Sequence, residues 1–153
     1  MEKFIKMNEI CISDSPCLIK TIVGSCIALC IWDGRCRIGG MAHIMLPESN
    51  GDLNAPPGKY ANTAVRHMVS TMISEGSAVE NMLATCAGGA SMFQIRQSNF
   101  VTVGIKNFRA VKKELTGFGI PVVTEAIGGI SGRRVEMNCA SGGITISMLL
   151  KPA

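Results

Sequence analysis

The chain has 153 residues, 47% of them hydrophobic, 17% charged and 5% aromatic, which suits one domain spanning 1–153 and is too apolar for a disordered protein. Fifteen Lys and Arg against eleven Asp and Glu leave a net charge of +4, too small and too scattered an excess for the dense basic stripe that nucleic acid demands. No apolar run approaches the roughly 18 residues of a membrane helix.

From the N-terminus, Glu2, Lys3, Lys6 and Glu9 interrupt the apolar residues, so a secretory signal is not expected and the chain reads as cytoplasmic. Short apolar or alternating runs bounded by Gly and Pro predict strands over 18–23, 26–32 and 37–45, with Asp33-Gly34 marking a hairpin between the last two. A loop over 49–58, containing Gly51, Pro56 and Pro57, leads to a helix over 59–74. There Ala61, Val65, Met68 and Met72 form the apolar stripe, and Lys59, Asn62, Arg66 and Ser70 take the other side. A strand is expected over 82–87. A second helix follows over 104–116, striped by Ile105, Phe108, Val111 and Leu115 and stopped by Gly117, Gly119 and Pro121. Strands over 122–126, 133–138 and 144–150 complete the chain.

Seven cysteines, at 11, 17, 26, 30, 36, 86 and 139, are an odd number without an export signal, so reduced thiols are expected rather than a disulfide framework. The sharpest local feature is Gly24-Ser25-Cys26, a glycine-led turn followed by a thiol, with His43 in the strand across the hairpin. A four-residue loop over 33–36 sets Cys26 directly opposite His43, and a two-residue loop makes His43 a diagonal neighbour on the same face; a three-residue loop separates them. Proximity matters because a free thiol with pKa near 8.5 is only a few per cent thiolate at neutral pH, and an imidazole can take its proton. The plainer reading makes both core residues, since Cys is among the most buried types.

Cys26, Cys30, Cys36 and His43 could also supply four zinc ligands, but their spacing lacks the short C-x2-C knuckle of structural sites. Cys30 shares the strand face of Cys26 and reads as packing, as do Cys11, Cys17, Cys86 and Cys139. His67 falls at the edge of the first helix's stripe. Lys106, Arg109, Lys112 and Lys113 line the polar side of the second helix, a solvated face by default and a docking surface for an acidic partner as the alternative. The glycine pairs near Arg133-Arg134 match neither phosphate-binding pattern.

Several separated motifs occur in one order: Gly24-Ser25-Cys26, Gly40-Met41-Ala42-His43-Ile44-Met45-Leu46-Pro47, Gly58-Lys59-Tyr60-Ala61 with Thr63-Ala64, Gly88-Gly89-Ala90-x-Met92-Phe93, Gly104-x-x-Asn107, and Gly128-Gly129 before Gly132-Arg133-Arg134. Through them nearly the whole chain resembles the CheD family, the chemoreceptor glutamine deamidases of chemotaxis. The resemblance implies an α+β fold of two packed, largely antiparallel sheets flanked by helices, and a Cys-dependent protein-glutamine glutaminase with Cys26 as nucleophile, His43 as base and no cofactor. It implies chemoreceptors as substrate and CheC as a further partner, with no nucleic acid and no membrane insertion. The family's catalytic Thr stands six residues before the Cys in T-x-G-x-G-S-C. Lys20 occupies that place here, Thr21 follows it, and Ile22 replaces the first glycine. Three ways to complete the site stay open: Thr21 through a local bulge, a different group, or a backbone carbonyl orienting the imidazole. The rivals are a non-catalytic adaptor binding receptors or CheC, and another Cys-His amidohydrolase such as a peptidase.

Overall fold

The computed structural model describes residues 1–91 and 101–149; Met92 and Phe93 of the Gly-Gly-Ala motif, and Leu150 of the last expected strand, lie outside them. In chain order the elements are β1 (Glu2–Phe4), β2 (Ile10–Ser13), β3 (Leu18–Val23), β4 (Ile27–Asp33), β5 (Ile38–Ile44), α1 (Ala61–Ser74), β6 (Met82–Gly88), α2 (Val103–Phe118), β7 (Val122–Ile127), β8 (Arg133–Asn138) and β9 (Ile144–Met148). They make an α+β fold with a four-stranded sheet ordered β1-β3-β8-β9 and a five-stranded sheet ordered β2-β5-β4-β6-β7. Among the described strands only the edge pairs β1–β3 and β6–β7 are parallel.

The strand expected over 26–32 begins and ends one residue later, and the first helix starts at Ala61, preceded by a 3-10 turn over Pro57–Lys59. β1 and β2 were not expected from the sequence. Both are short and lie at or beside sheet edges, where pairing with a distant strand outweighs weak local signals.

Three layers result from the two faces of β4, the middle strand of its sheet. Ile27, Leu29 and Ile31 face the helices and pack with Ala61, Val65, Met68 and Met72 of α1 and with Val111 and Leu115 of α2. Ala28 and Cys30 face the other sheet and pack with Ile19 and Val23 of β3 and Val135 and Met137 of β8. Because both faces are covered, β4 reads as an unbroken apolar run rather than an alternating one. β3 does alternate: Ile19, Thr21 and Val23 point into the sandwich, while Leu18, Lys20 and Ile22 point away from it. Each fully buried aliphatic side chain contributes about 1.5–3 kcal/mol to this arrangement.

The hairpin loop is four residues long but covers 34–37, because Asp33 belongs to β4, paired with Ile38. The Asp33 carboxylate accepts from the backbone N–H groups of Arg35 and Cys36 and from Ser77 Oγ and Ala78 N–H. Burial pushes this carboxyl up, and hydrogen bonds from the Ser77 hydroxyl, Ala78 N–H, the Cys36 thiol and Arg35 N–H outweigh it to leave the pKa below the ordinary value. One side chain thus closes the turn and ties it to the segment after α1.

Candidate active site

The shifted loop sets the register that matters: Ile27 pairs with Ile44 and Ala28 with His43. Cys26, one residue before β4, is therefore a diagonal neighbour of His43 rather than its direct partner, and the two side chains share the face turned toward the other sheet. Cys26 is 8% exposed and His43 6%. No thiol–imidazole hydrogen bond is formed among the described residues; the pair is adjacent and unengaged.

A hydroxyl from the opposite sheet meets the imidazole. Thr21 Oγ1 lies 2.8 Å from His43 Nδ1 and donates to the Ile5 carbonyl at 2.9 Å. A hydroxyl has one proton and a carbonyl can only accept, so Thr21 accepts from Nδ1–H, and Nε2 carries the free lone pair. β3 reaches this position without a bulge, pairing continuously with β8 from Leu18 to Val23. Strand alternation turns Thr21 rather than Lys20 toward His43. Lys20 points outward to ion pairs with Glu2 and Glu136 at 3.3 and 4.0 Å, whereas Thr21 is fully buried.

Burial pushes the Cys26 thiol above its ordinary value and the His43 imidazole below its own, because each charged form is disfavoured away from water. Both shifts favour the uncharged forms of the pair.

The turn carrying Cys26 is held by its carbonyls. Gly24 accepts from Ala90 N–H and Cys26 from Gly89 N–H, each at 3.0 Å, while the Ser25 carbonyl takes Asn107 Nδ2 at 3.3 Å. None of these contacts uses the N–H of Ser25 or Cys26, which donate to no protein group among the described residues. Gly88 has φ +120°, and a Cβ there would come within 2.1 Å of the Cys26 carbonyl oxygen; only glycine lets the two backbones meet. Gly104 likewise lets the start of α2 press on Gly89, where a Cβ would stand 2.5 Å from the carbonyl oxygen.

The sequence places Asn107 in the Gly104-x-x-Asn107 motif and gives it no further role. Fully buried in α2, its amide donates to Met45 O at 2.8 Å as well as to Ser25 O, while its Oδ1 has no partner among the described residues. It ties the residue before the thiol to the residue two beyond His43. Gly104, Asn107, Val111 and Leu115 are the buried residues of α2. A polar amide inside an apolar stripe is the signal that could have exposed it, since buried amides need partners.

The other cysteines do not join this cluster. Cys30 is buried between Met41 and Thr85, with its thiol pushed up by burial and by Cys86 and Cys139. Cys17 and Cys139 meet across β3–β8, the Cys139 N–H donating to the Cys17 carbonyl at 2.8 Å. Cys36 is exposed in the hairpin loop, at the end of β4 away from Cys26. Among the described residues no group of three or more His, Cys, Asp or Glu is placed to hold a metal ion, and no helix is long and apolar enough to cross a membrane. His67 is exposed on α1.

Comparison with known proteins adds to this geometry. A family model described as "CheD chemotactic sensory transduction" matches residues 45–148. The chain is 42% identical over 147 residues to the "Chemoreceptor glutamine deamidase CheD" of Thermotoga maritima, covering 95% of this chain and 91% of that one. It is also 42% identical over 142 residues to the "Probable chemoreceptor glutamine deamidase CheD" of Methanococcus vannielii, with 93% and 92% covered. A Sulfurimonas denitrificans protein described in the same words is 32% identical over 150 residues.

Proposed function

Since the chain belongs to the CheD family of chemoreceptor glutamine deamidases, we propose that it hydrolyses selected receptor glutamine side chains to glutamate through a thioester on Cys26, with His43 as base and Thr21 holding the imidazole. The observation that carries this reading is the Thr21–His43 hydrogen bond. It supports a fixed tautomer with a basic Nε2 on the strand face that Cys26 shares.

As the glutamine carboxamide enters, Nε2 takes the thiol proton while sulfur attacks the amide carbon. The negative charge that forms on the carbonyl oxygen needs donors, and the uncommitted N–H groups of Ser25 and Cys26 are the nearest. Collapse breaks the C–N bond, and the imidazolium gives its proton to the departing nitrogen, releasing ammonia. Water then attacks the thioester and gives a proton to Nε2. The C–S bond breaks, glutamate leaves, and the imidazolium returns the proton to sulfur. Burial disfavours a separated thiolate and imidazolium, which favours proton transfer in concert with attack. The scheme consumes only water and uses no metal or organic cofactor.

The ground for a non-catalytic adaptor was Lys20 standing where a Thr was expected. Lys20 turned outward and Thr21 against His43 favour turnover over that adaptor, while Ile22 still stands in the place of the first glycine. CheC, the further partner implied by the resemblance, is proposed to compete with receptor for the face around Cys26; excess receptor fragment should displace it. The function itself is tested by mass spectrometry of a receptor cytoplasmic fragment incubated with the protein. Deamidated glutamines on an uncut backbone support the reading. Clipped peptides select a peptidase instead, and an unmodified receptor rejects turnover.

A further inference from the structure

A cavity of about 790 Å3, lined by no residue of the Cys26 turn, opens between the segment after β5 and the outer side of α2. Its apolar lining includes Leu46, Pro47 and Ala110, and its cationic side is Lys106, Arg109 and Lys113. The three cations recur at i, i+3 and i+7, so they share one helix face and extend about 10 Å along it.

Among the described residues three other cations are ion-paired, and others, such as Lys3, Arg35 and Arg134, are single charges scattered over the surface. Lys20 meets Glu2 and Glu136, Arg66 meets Glu114 at 3.1 Å, and Lys112 meets Glu125 at 2.8 Å. Lys106, Arg109 and Lys113 have no carboxylate within ion-pair distance among the described residues, although all three are exposed. Glu48 is the one carboxylate of the lining, and Asp52 lies nearby, accepting from the Tyr60 hydroxyl at 3.1 Å. Three like charges on one helix face repel one another, a cost that an anionic partner would remove.

We propose that this groove is a substrate-docking subsite that takes an acidic, amphipathic segment of the receptor polypeptide flanking the target glutamine. The inference rests on the deamidase reading and supplies its substrate selectivity. Two connections favour it. The groove begins at Leu46, next to Met45, and Lys106 precedes Asn107, whose amide joins Met45 O to Ser25 O beside the nucleophile. A long protein substrate presenting a side chain at Cys26 therefore lies within reach of α2. The mixed lining also suits carboxylates and apolar side chains together, whereas three cations around a partly apolar cavity are too few for a nucleic-acid track.

The test compares the unmodified protein with the triple variant K106E/R109E/K113E and with the charge-conserving K106R/R109K/K113R. Substrates are the receptor cytoplasmic fragment and a short uncharged glutamine peptide. Charge reversal is expected to raise KM for the fragment about tenfold at low salt, the scale of a few rim charge pairs, with kcat nearly unchanged. The gap should narrow in high salt, and the uncharged peptide should not distinguish the three proteins. An unchanged KM, or an equal loss on both substrates, overturns the subsite while leaving the deamidase reading intact. If the unmodified protein deamidates nothing, the deamidase reading fails, and the groove is decided by fluorescence anisotropy with a labelled glutamate-rich amphipathic peptide. Binding lost on charge reversal supports the groove; equal binding, or displacement by millimolar inorganic phosphate, overturns it.

Discussion

Replacing Thr21 with valine keeps the shape of the side chain and removes one hydroxyl, which makes it a sharp probe of the site. The lost oxygen serves two buried partners, the Ile5 carbonyl at 2.9 Å and His43 Nδ1 at 2.8 Å. Leaving a buried polar group unsatisfied costs about 1–3 kcal/mol, so two such groups amount to about 2–6 kcal/mol, or roughly 4–24 °C in Tm for a chain of this size. The kinetic loss has a separate origin. Without an acceptor at Nδ1 the imidazole is free to hold its proton on Nε2, where it cannot act as base toward Cys26, and kcat should fall about a hundredfold, within the range for general-base catalysis. Thr21→Ser retains the hydroxyl and should keep kcat within a few-fold while losing about 1 kcal/mol for the missing methyl group. Receptor deamidation followed by mass spectrometry, together with thermal unfolding, measures both quantities. A folded valine variant with normal kcat, or a serine variant no better than valine, would refute the role given to this hydrogen bond.

Four further outcomes are expected. Activity against pH should be bell-shaped. Its acid limb lies below 6.5, because burial lowers the His43 pKa from that value, and its alkaline limb lies above 9.0, because burial raises Cys26. Stability follows the same signs: below pH 6.5 the unfolded state protonates first, above 9.0 it ionises its thiols first, and Tm should drop on both sides. Asn107→Ala removes the amide joining Ser25 O to Met45 O and should cost about 2 kcal/mol in chemical denaturation, with a larger proportional loss in kcat than a surface variant of equal stability. Gly88→Ala forces a Cβ toward the Cys26 carbonyl at positive φ and should cost at least about 1–3 kcal/mol, whereas Gly117→Ala, in α2 with nothing within 4 Å, should gain about 0.5–1 kcal/mol; equal Tm shifts for the two would contradict the close approach at Gly88. Cys30→Ala should leave kcat intact and lower stability by roughly 1 kcal/mol.

Much of this architecture was legible in the sequence because its signals are local. β3 and β8 keep their expected bounds since each alternates and is closed by turn residues. The stripe of α1 is buried as its 3.6-residue period requires. What was illegible depends on distant partners. β1 and β2 carry lysine, glutamate or few residues and exist because β3 and β5 offer them an edge. The hairpin loop starts one residue later than the sequence predicts, because Asp33 ends β4 and its carboxylate closes the turn from there. That slip preserves parity, so Cys26 and His43 remain on one face.

The candidate site divides the same way. Cys26 and His43 stood out as a thiol after a glycine turn and one of two histidines. Thr21 could not be chosen over Lys20 by counting back from the cysteine, since only the alternation of β3 against the second sheet decides which side chain faces inward. The groove beside α2 was visible only as a run of cations, because its other wall comes from residues some sixty positions earlier, on the order of 90 Å away if joined by a helix and brought close only by folding.

The most direct measurement is acid-quench mass spectrometry of the protein during turnover of a receptor fragment. The account requires a hydroxylamine-sensitive acyl adduct on the peptide containing Cys26, accumulating when water attack is slowed, and the loss of both adduct and glutamate product in Cys26→Ala. Glutamate formation that persists in Cys26→Ala, or an adduct on another cysteine, would contradict it.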